Sequence, residues 1–115
     1  MPNSFWQLQL NTRDRSKAEI LAQRCLQQMD YPYVDLKLDS YAKGGFLGQF
    51  QLNHPNDLSW SELVVEVIKI AQSLGGGWYL TGSAEDDLSG VLSTNSDGRA
   101  VIPGLLWAQW QVSKS

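Results

Sequence analysis

The sequence predicts a single α+β domain over residues 1–115, with helices and strands alternating along the chain. Two periodicities support this prediction. Apolar residues recur at every second position in several short runs and at every third or fourth position in two longer runs. The composition agrees, because 43% hydrophobic residues with five tryptophans can bury enough apolar surface to order a chain of 115 residues. We therefore expect one layer of sheet and one layer of helix around a single core.

The first strand and the first helix come from the two different periods. Residues 5–10 alternate between apolar and polar side chains, which is typical of a half-buried strand. Ser16 precedes Glu19 by three residues, a capping-box spacing, and apolar residues then follow at helical intervals. We predict a helix from about residue 17 to residue 29, with Leu26 at the centre of its apolar stripe.

Two further strands and a second helix follow. Residues 34–38 and 46–52 alternate as strands, and the glycine pair between them predicts an antiparallel hairpin. Ser59 and Glu62 repeat the capping-box spacing at the start of the second helix. Its apolar stripe is centred on Val67 and ends at a run of three glycines, which favour a helix end.

The last third of the chain predicts more strands. Residues 78–81 form one, residues 88–93 a weaker one, and residues 105–112 alternate as the last. The order β-α-β-β-α-β is the ferredoxin-like arrangement. We therefore expect a two-layer sandwich in which two helices cover one face of an antiparallel sheet. An extra C-terminal strand or hairpin is expected in addition.

Charge and composition exclude several classes of function. Nine Lys and Arg against twelve Asp and Glu give a net charge of −3, and the basic residues are scattered, which disfavours nucleic-acid binding. No apolar run approaches the ~20 residues that span a membrane. Cys25 is the single cysteine and no signal sequence follows Met1, so we expect a cytoplasmic protein without an internal disulfide. It is expected to be a monomer or a homodimer.

Catalytic groups are few. His54, the only histidine, has no ligand or base near it in the sequence, and we interpret it as an exposed loop residue that assists a turn. Cys25 belongs to the apolar stripe of the first helix, where a thiol is expected to be buried and poorly reactive. The sequence therefore predicts no enzyme, no catalytic residue, no metal site and no cofactor.

The segment WYLTGSAEDDLSG, residues 78–90, is the most informative about binding. Glu85, Asp86 and Asp87 lie in a turn between two strands, where they are either simply solvated or attract a basic partner. Trp78 and Trp107 belong to strands with large residues on both faces. An exposed aromatic residue beside an acidic loop is typical of an interface, so these five residues are the predicted partner-binding site.

Three segments carry a resemblance to a known group of proteins. A strand opens with Phe5-Trp6, residues 75–82 read GGGWYLTG before the acidic loop, and residues 104–110 read GLLWAQW. In these features the chain resembles the immunity proteins of bacterial polymorphic-toxin and contact-dependent inhibition systems. The resemblance implies a stoichiometric inhibitor that binds and neutralises a cognate protein toxin.

Two other functions stay open on the sequence. A ferredoxin-like scaffold also suits a small-ligand-binding regulatory domain, usually a dimer, although this rests on architecture alone. The third choice is an acylphosphatase-like enzyme, because Arg13 and Arg15 lie between the first strand and the first helix. That reading lacks the glycine-rich backbone that would direct amides at a phosphate.

Overall fold

A computed structural model describes residues 2–83 and 85–113. Over these ranges the elements follow in the order β1 (Asn3–Leu10), α1 (Arg15–Met29), β2 (Tyr33–Ser40), β3 (Phe46–Asn53), α2 (Trp60–Leu74), β4 (Gly75–Gly76), β5 (Tyr79–Ser83), β6 (Asp87–Ser93), β7 (Arg99–Ala100) and β8 (Leu105–Ser113). The predicted α+β class is therefore confirmed. Neither helix is long and apolar enough to cross a membrane, for the residues described.

The main sheet has six antiparallel strands in the order β2-β3-β1-β8-β6-β5. The two short strands β4 and β7 pair separately, next to the end of α2. In the main sheet β8 lies between β1 and β6, so that Trp110 is opposite Trp6 on one side and Gly90 on the other. The last described strand thus connects the two halves of the sheet.

The ferredoxin-like β-α-β-β-α-β order is not matched. The ferredoxin-like order has one strand after its second helix, whereas five strands follow α2 here. The strand expected as a C-terminal addition occupies the sheet centre beside β1. Burial gives the physical reason. All five residues of β5 are exposed, whereas β8 buries Ala108, Trp110 and Val112 on one face. A strand with a continuous apolar face gains more from a central position.

Helix α1 begins earlier than its sequence pattern predicts. Asp14 is the N-cap, and its carboxylate accepts a hydrogen bond from the backbone N–H of Ser16 at 2.8 Å. The expected capping box from Ser16 to Glu19 is not formed, since Ser16 already lies inside the helix. Aspartate caps a helix as well as serine does, and here it comes first in the chain.

Helix α2 begins as predicted. Ser59 accepts from the backbone of Glu62, and the Glu62 carboxylate accepts from the backbone of Ser59, so the capping box is complete. The helix ends at Leu74, immediately before the three glycines. The core lies between the two helices and one face of the sheet, with Leu26 and Val67 both buried in it.

Candidate functional site

The acidic turn, defined here as Glu85, Asp86 and Asp87, connects β5 to β6 at one corner of the sheet. Ser83 organises it: its hydroxyl accepts from the backbone N–H of Glu85 at 3.2 Å, and its carbonyl accepts from that of Asp86 at 3.3 Å. The Asp87 carboxylate in turn accepts from the backbone N–H of Ser83 at 3.4 Å. All three acidic residues are exposed, so their charges face solvent.

Trp78 precedes β5 and belongs to the helix side of the sheet. Its indole N–H donates to the carbonyl oxygens of Ala71 and Gly75, both at 3.0 Å. The ring meets Trp6 edge-on, with centroids 6.4 Å apart. Trp78 therefore anchors the end of α2 to the core and is only partly accessible to a partner.

Trp107 lies on the opposite face. In β8 it pairs with Gln9 of β1 and Ser93 of β6, and it is half-buried. Ser93 lies six positions after Asp87 along β6, a distance of roughly 20 Å at ~3.3 Å per residue. The predicted site is therefore not one patch: the acidic turn, Trp78 and Trp107 occupy a corner and two different faces.

The face that carries Trp107 is uncovered by either helix, and we refer to it as the open face. Three strands contribute glutamines there in register, for example Gln49, Gln7 and Gln109 side by side. Two large aromatic side chains protrude from it, Phe5 at 53% exposure and Tyr79 at 72%. The central part of the open face comprises Phe5, Gln7, Gln9, Gln49, Gln51, Trp107, Gln109 and Gln111.

Charges on the open face lie at its edges. None of the open-face positions of β3, β1 and β8 is charged. Lys37 and Asp39 lie on the edge strand β2, and Asp87 lies at the corner of the acidic turn. Of this surface only Trp107 belongs to the predicted site, although the alternating glutamines of the three strands are a visible signal in the sequence.

His54 is buried, so its interpretation as an exposed loop residue is wrong. Its side chain is 1% exposed. The reason is that β3 buries every second residue, Phe50 and Leu52, and this alternation continues one step beyond the strand to His54. The backbone N–H of His54 also donates to the Pro2 carbonyl, which ties the loop to the start of β1.

The imidazole belongs to a hydrogen-bonded chain. The Trp6 indole N–H donates to Ser4 Oγ at 2.8 Å, and Ser4 Oγ lies 2.8 Å from His54 Nε2. On the other side His54 Nδ1 lies 3.1 Å from Tyr31 Oη and 3.3 Å from Glu66 Oε2. Tyr31 itself donates to Glu66 Oε1, so Nδ1 of the neutral ring carries the proton and Nε2 accepts from Ser4.

Ser4, His54 and Glu66 are hydrogen-bonded in the same order as the serine, histidine and acidic residue of a catalytic triad. A substrate cannot reach Ser4, because its exposure is zero. Burial lowers the pKa of His54, although the neighbouring Glu66 carboxylate opposes that effect. Burial, reinforced by Glu66, raises the pKa of Tyr31 to about 12. We therefore assign a structural role to this hydrogen-bonded chain of side chains, in which buried polar groups provide each other with hydrogen-bond partners.

The cysteine thiol and the Arg15 guanidinium, which were also weighed as reactive groups, both have structural roles. Cys25 is fully buried in α1, and burial raises the pKa of its thiol to about 12. The Arg15 guanidinium donates to the Leu38 carbonyl at 2.9 Å and lies over the Phe46 ring. Within residues 2–83 and 85–113, no three His, Cys, Asp or Glu side chains are grouped to hold a metal.

A cavity of about 290 Å³ lies between the last turns of α2 and strand β5. Its walls include Ile68 and Trp78 on the helix side and Leu80 and Trp110 on the sheet side. The remaining lining consists of an alanine, a glutamine and two glycines, and none of the lining residues is charged. It lies on the opposite side of the sheet from Trp107.

No protein-family model matches the chain, and neither a curated protein nor a solved structure matches it. Functional assignment therefore depends on the geometry of these surfaces.

Proposed function

We propose that this chain is a small cytoplasmic immunity-type protein that binds a cognate protein toxin and neutralises it. The observation that carries the proposal is the open face, whose uncharged centre bears exposed Phe5 and half-buried Trp107. Protein interfaces are depleted of charge at their centre and enriched in aromatic residues, with a polar rim. Lys37, Asp39 and the acidic turn supply charge at the edges of this face.

The dimensions of the open face suit a partner of ordinary size. Six strands spaced ~4.8 Å apart span about 24 Å, and strands of about eight residues span roughly 25 Å, which gives a projected area of roughly 600 Å². A standard interface buries ~800 Å² on each partner. A protein that covers this face and part of the adjoining acidic turn would reach that area.

The acidic turn contributes to association in this proposal. Exposed carboxylates attract a basic partner over a distance and raise the rate of encounter, whereas aromatic anchors slow dissociation. A toxin with a basic active-site groove, such as a nuclease, has the complementary charge. The net charge of −3 on this chain acts in the same direction.

Co-expression with the protein encoded next to this chain tests the proposal. We expect the neighbouring protein alone to inhibit growth, this chain to restore growth, and the two to purify as a complex whose stoichiometry shows whether this chain enters as a monomer or a homodimer. A neighbouring protein that neither inhibits growth nor forms the complex would contradict the proposal.

Alanine variants locate the surface. Phe5→Ala and Trp107→Ala should each weaken the complex by about tenfold or more, since interface aromatics commonly contribute more than ~1 kcal/mol. Ile20→Ala and Val65→Ala are matched controls, because both side chains are exposed, at 54% and 51%, but lie on the helices. Equal losses for both pairs would exclude the open face as the docking surface.

The second candidate is a small-ligand regulatory domain, and the cavity between α2 and β5 is the observation in its favour. We do not propose the acylphosphatase-like enzyme, since Arg15 already contacts the Leu38 carbonyl and Phe46.

A further inference from the structure

Trp110, one of the residues that line the cavity between α2 and β5, carries an unusual polar group. The indole nitrogen of Trp110 is buried and has no hydrogen-bond partner, and it is the one such side-chain atom within the described ranges 2–83 and 85–113. The corresponding N–H groups of Trp6 and Trp78 both have acceptors. A buried donor without an acceptor is destabilising, so an acceptor placed beside Trp110 Nε1 would be favourable.

The position of the indole nitrogen is defined by β6. A Cβ atom added to Gly90 would lie 2.4 Å from Trp110 Nε1, so the N–H edge of the indole rests on the backbone of this glycine. Leu80 is the cross-strand partner of Gly90 in β5 and lines the cavity. Its side chain is 45% exposed, so it is free to turn outward at the edge of the sheet.

The lining of the cavity restricts the ligand. Two indole rings and aliphatic side chains favour an aromatic group. The absence of a charged lining residue disfavours nucleotides and free amino acids, whose charges would be left unpaired. A volume of about 290 Å³ is just below the ~300–1,000 Å³ typical of ligand sites, which indicates a small molecule.

We propose that this cavity binds a small uncharged aromatic molecule with one carbonyl oxygen. The ring lies between the side chains of Ile68 and Trp78, and the carbonyl oxygen accepts the hydrogen bond of Trp110 Nε1 once Leu80 has turned outward. The site is on the helix side of the sheet, so its occupation does not depend on a protein partner at the open face.

Acetophenone and ethylbenzene are suitable probes, because they have similar shapes and only the first carries a carbonyl. Titration of ¹⁵N-labelled protein is followed through the five indole N–H resonances, assigned with Trp78→Phe and Trp110→Phe. Both probes should shift the Trp78 resonance, and acetophenone alone should move the Trp110 resonance to the higher frequency of a hydrogen-bonded N–H. If millimolar acetophenone leaves both resonances in place, the proposal is overturned.

Three variants complete the test. Relative to the affinity for ethylbenzene, Trp110→Phe should lower the affinity for acetophenone by about tenfold, the equivalent of one hydrogen bond. An unchanged ratio would remove the indole N–H from the site.

Gly76→Leu should abolish binding of both probes, because a Cβ atom there meets nothing within 4 Å and the longer side chain can enter the cavity. Thr81→Leu is its control. It introduces the same side chain on the face of β5 that points away from the cavity, and it should leave binding intact. This pair keeps the test decisive if Trp110→Phe fails to fold, and binding that survives Gly76→Leu would place the probes elsewhere.

Discussion

The hydrogen-bonded chain through His54 links the middle of the sheet to α2. Ser4 and His54 are both fully buried, whereas the side chain of Glu66 is 30% exposed. A proton added to the imidazole would make Nε2 a donor that faces the O–H donor of Ser4. The Ser4 oxygen already accepts a hydrogen bond from the Trp6 indole. The neutral ring therefore fits the buried environment better than the charged ring.

This fit predicts a loss of stability in mild acid. The folded pKa of His54 lies below the ordinary value of 6.5. As the pH falls through 6.5 the unfolded chain takes up a proton that the native protein resists, so the free energy of unfolding decreases until the pH passes below the folded pKa. Urea denaturation between about pH 7.5 and pH 5.5 should show this decrease, and His54→Gln should show a smaller one. Identical pH dependence in the two proteins would contradict the assignment.

Gly90 is predicted to be intolerant of any side chain. The added methyl group of Gly90→Ala would lie within 2.7 Å of three atoms of the Trp110 indole, which is fully buried and cannot move aside freely. We expect a loss of about 1–3 kcal/mol or more from overpacking. Gly76→Ala is the control and should change the free energy of unfolding by less than ~0.5 kcal/mol. Similar unfolding midpoints for both would mean that the indole relaxes around the methyl group.

Cys25 should react slowly with thiol reagents in the native state. The reactive species is the thiolate, and burial raises the pKa of this thiol to about 12. Modification should become fast when the protein is unfolded in urea. A native rate close to the unfolded rate would show that α1 opens readily or that Cys25 lies outside the core.

At the scale of the elements, both helices depend on their apolar stripes. Leu26→Ala should cost about 2–5 kcal/mol, because Leu26 is 5% exposed and its truncation leaves a cavity. Val67→Ala should also destabilise substantially, since Val67 is fully buried in α2. Denaturation midpoints measure both. Val65→Ala, on the exposed side of the same helix, is the control and should have little effect.

The helices could be predicted from sequence because their signals are local. The stripe and capping box of α2 are contained within residues 59–74, and the structure has the helix at Trp60–Leu74. The predicted start of α1 was too late, and the reason is also local, because it depends on whether Asp14 or Ser16 is the N-cap. Period-two alternation likewise located β1, β2 and β3 within a few residues of their bounds.

The order of strands after α2 could not be predicted in the same way. Whether β5 or β8 pairs with β1 depends on contacts distant in sequence, such as Trp6 with Trp110. The relative positions of the predicted site residues depend on the same distant contacts. Trp78 and Trp107 lie on opposite faces of the sheet, and His54, which continues the buried alternation of β3, meets Ser4 of the neighbouring strand β1.

At the scale of the whole molecule, the acidic turn and the open face should affect different rate constants. Replacing Glu85, Asp86 and Asp87 by Gln, Asn and Asn should leave stability nearly unchanged, since all three are exposed. Association with the proposed toxin partner should slow, and the difference from the unchanged protein should shrink as salt is raised. Stopped-flow or surface-based kinetics at two ionic strengths measures this.

Trp107→Ala is the matched variant for that experiment. It removes an aromatic anchor and should mainly speed dissociation, with little dependence on salt. If neutralisation of the acidic turn leaves the association rate constant unchanged, those carboxylates are simply solvated and do not attract the partner. The two variants together therefore separate electrostatic attraction from contact within the complex.

Because β8 lies at the centre of the sheet, the sheet stays incomplete until β8 has been synthesised. Residues of β1 leave the ribosome about a hundred positions before their partners in β8, such as Val112 opposite Ser4. Until β8 emerges, the strands β2-β3-β1 and the hairpin β5–β6 share no ladder, and the inner edges of β1 and β6 both lack a partner strand. Unpaired edges of this kind invite association with other chains. The nascent chain therefore passes through a period of exposure that ends only when its last described strand closes the gap.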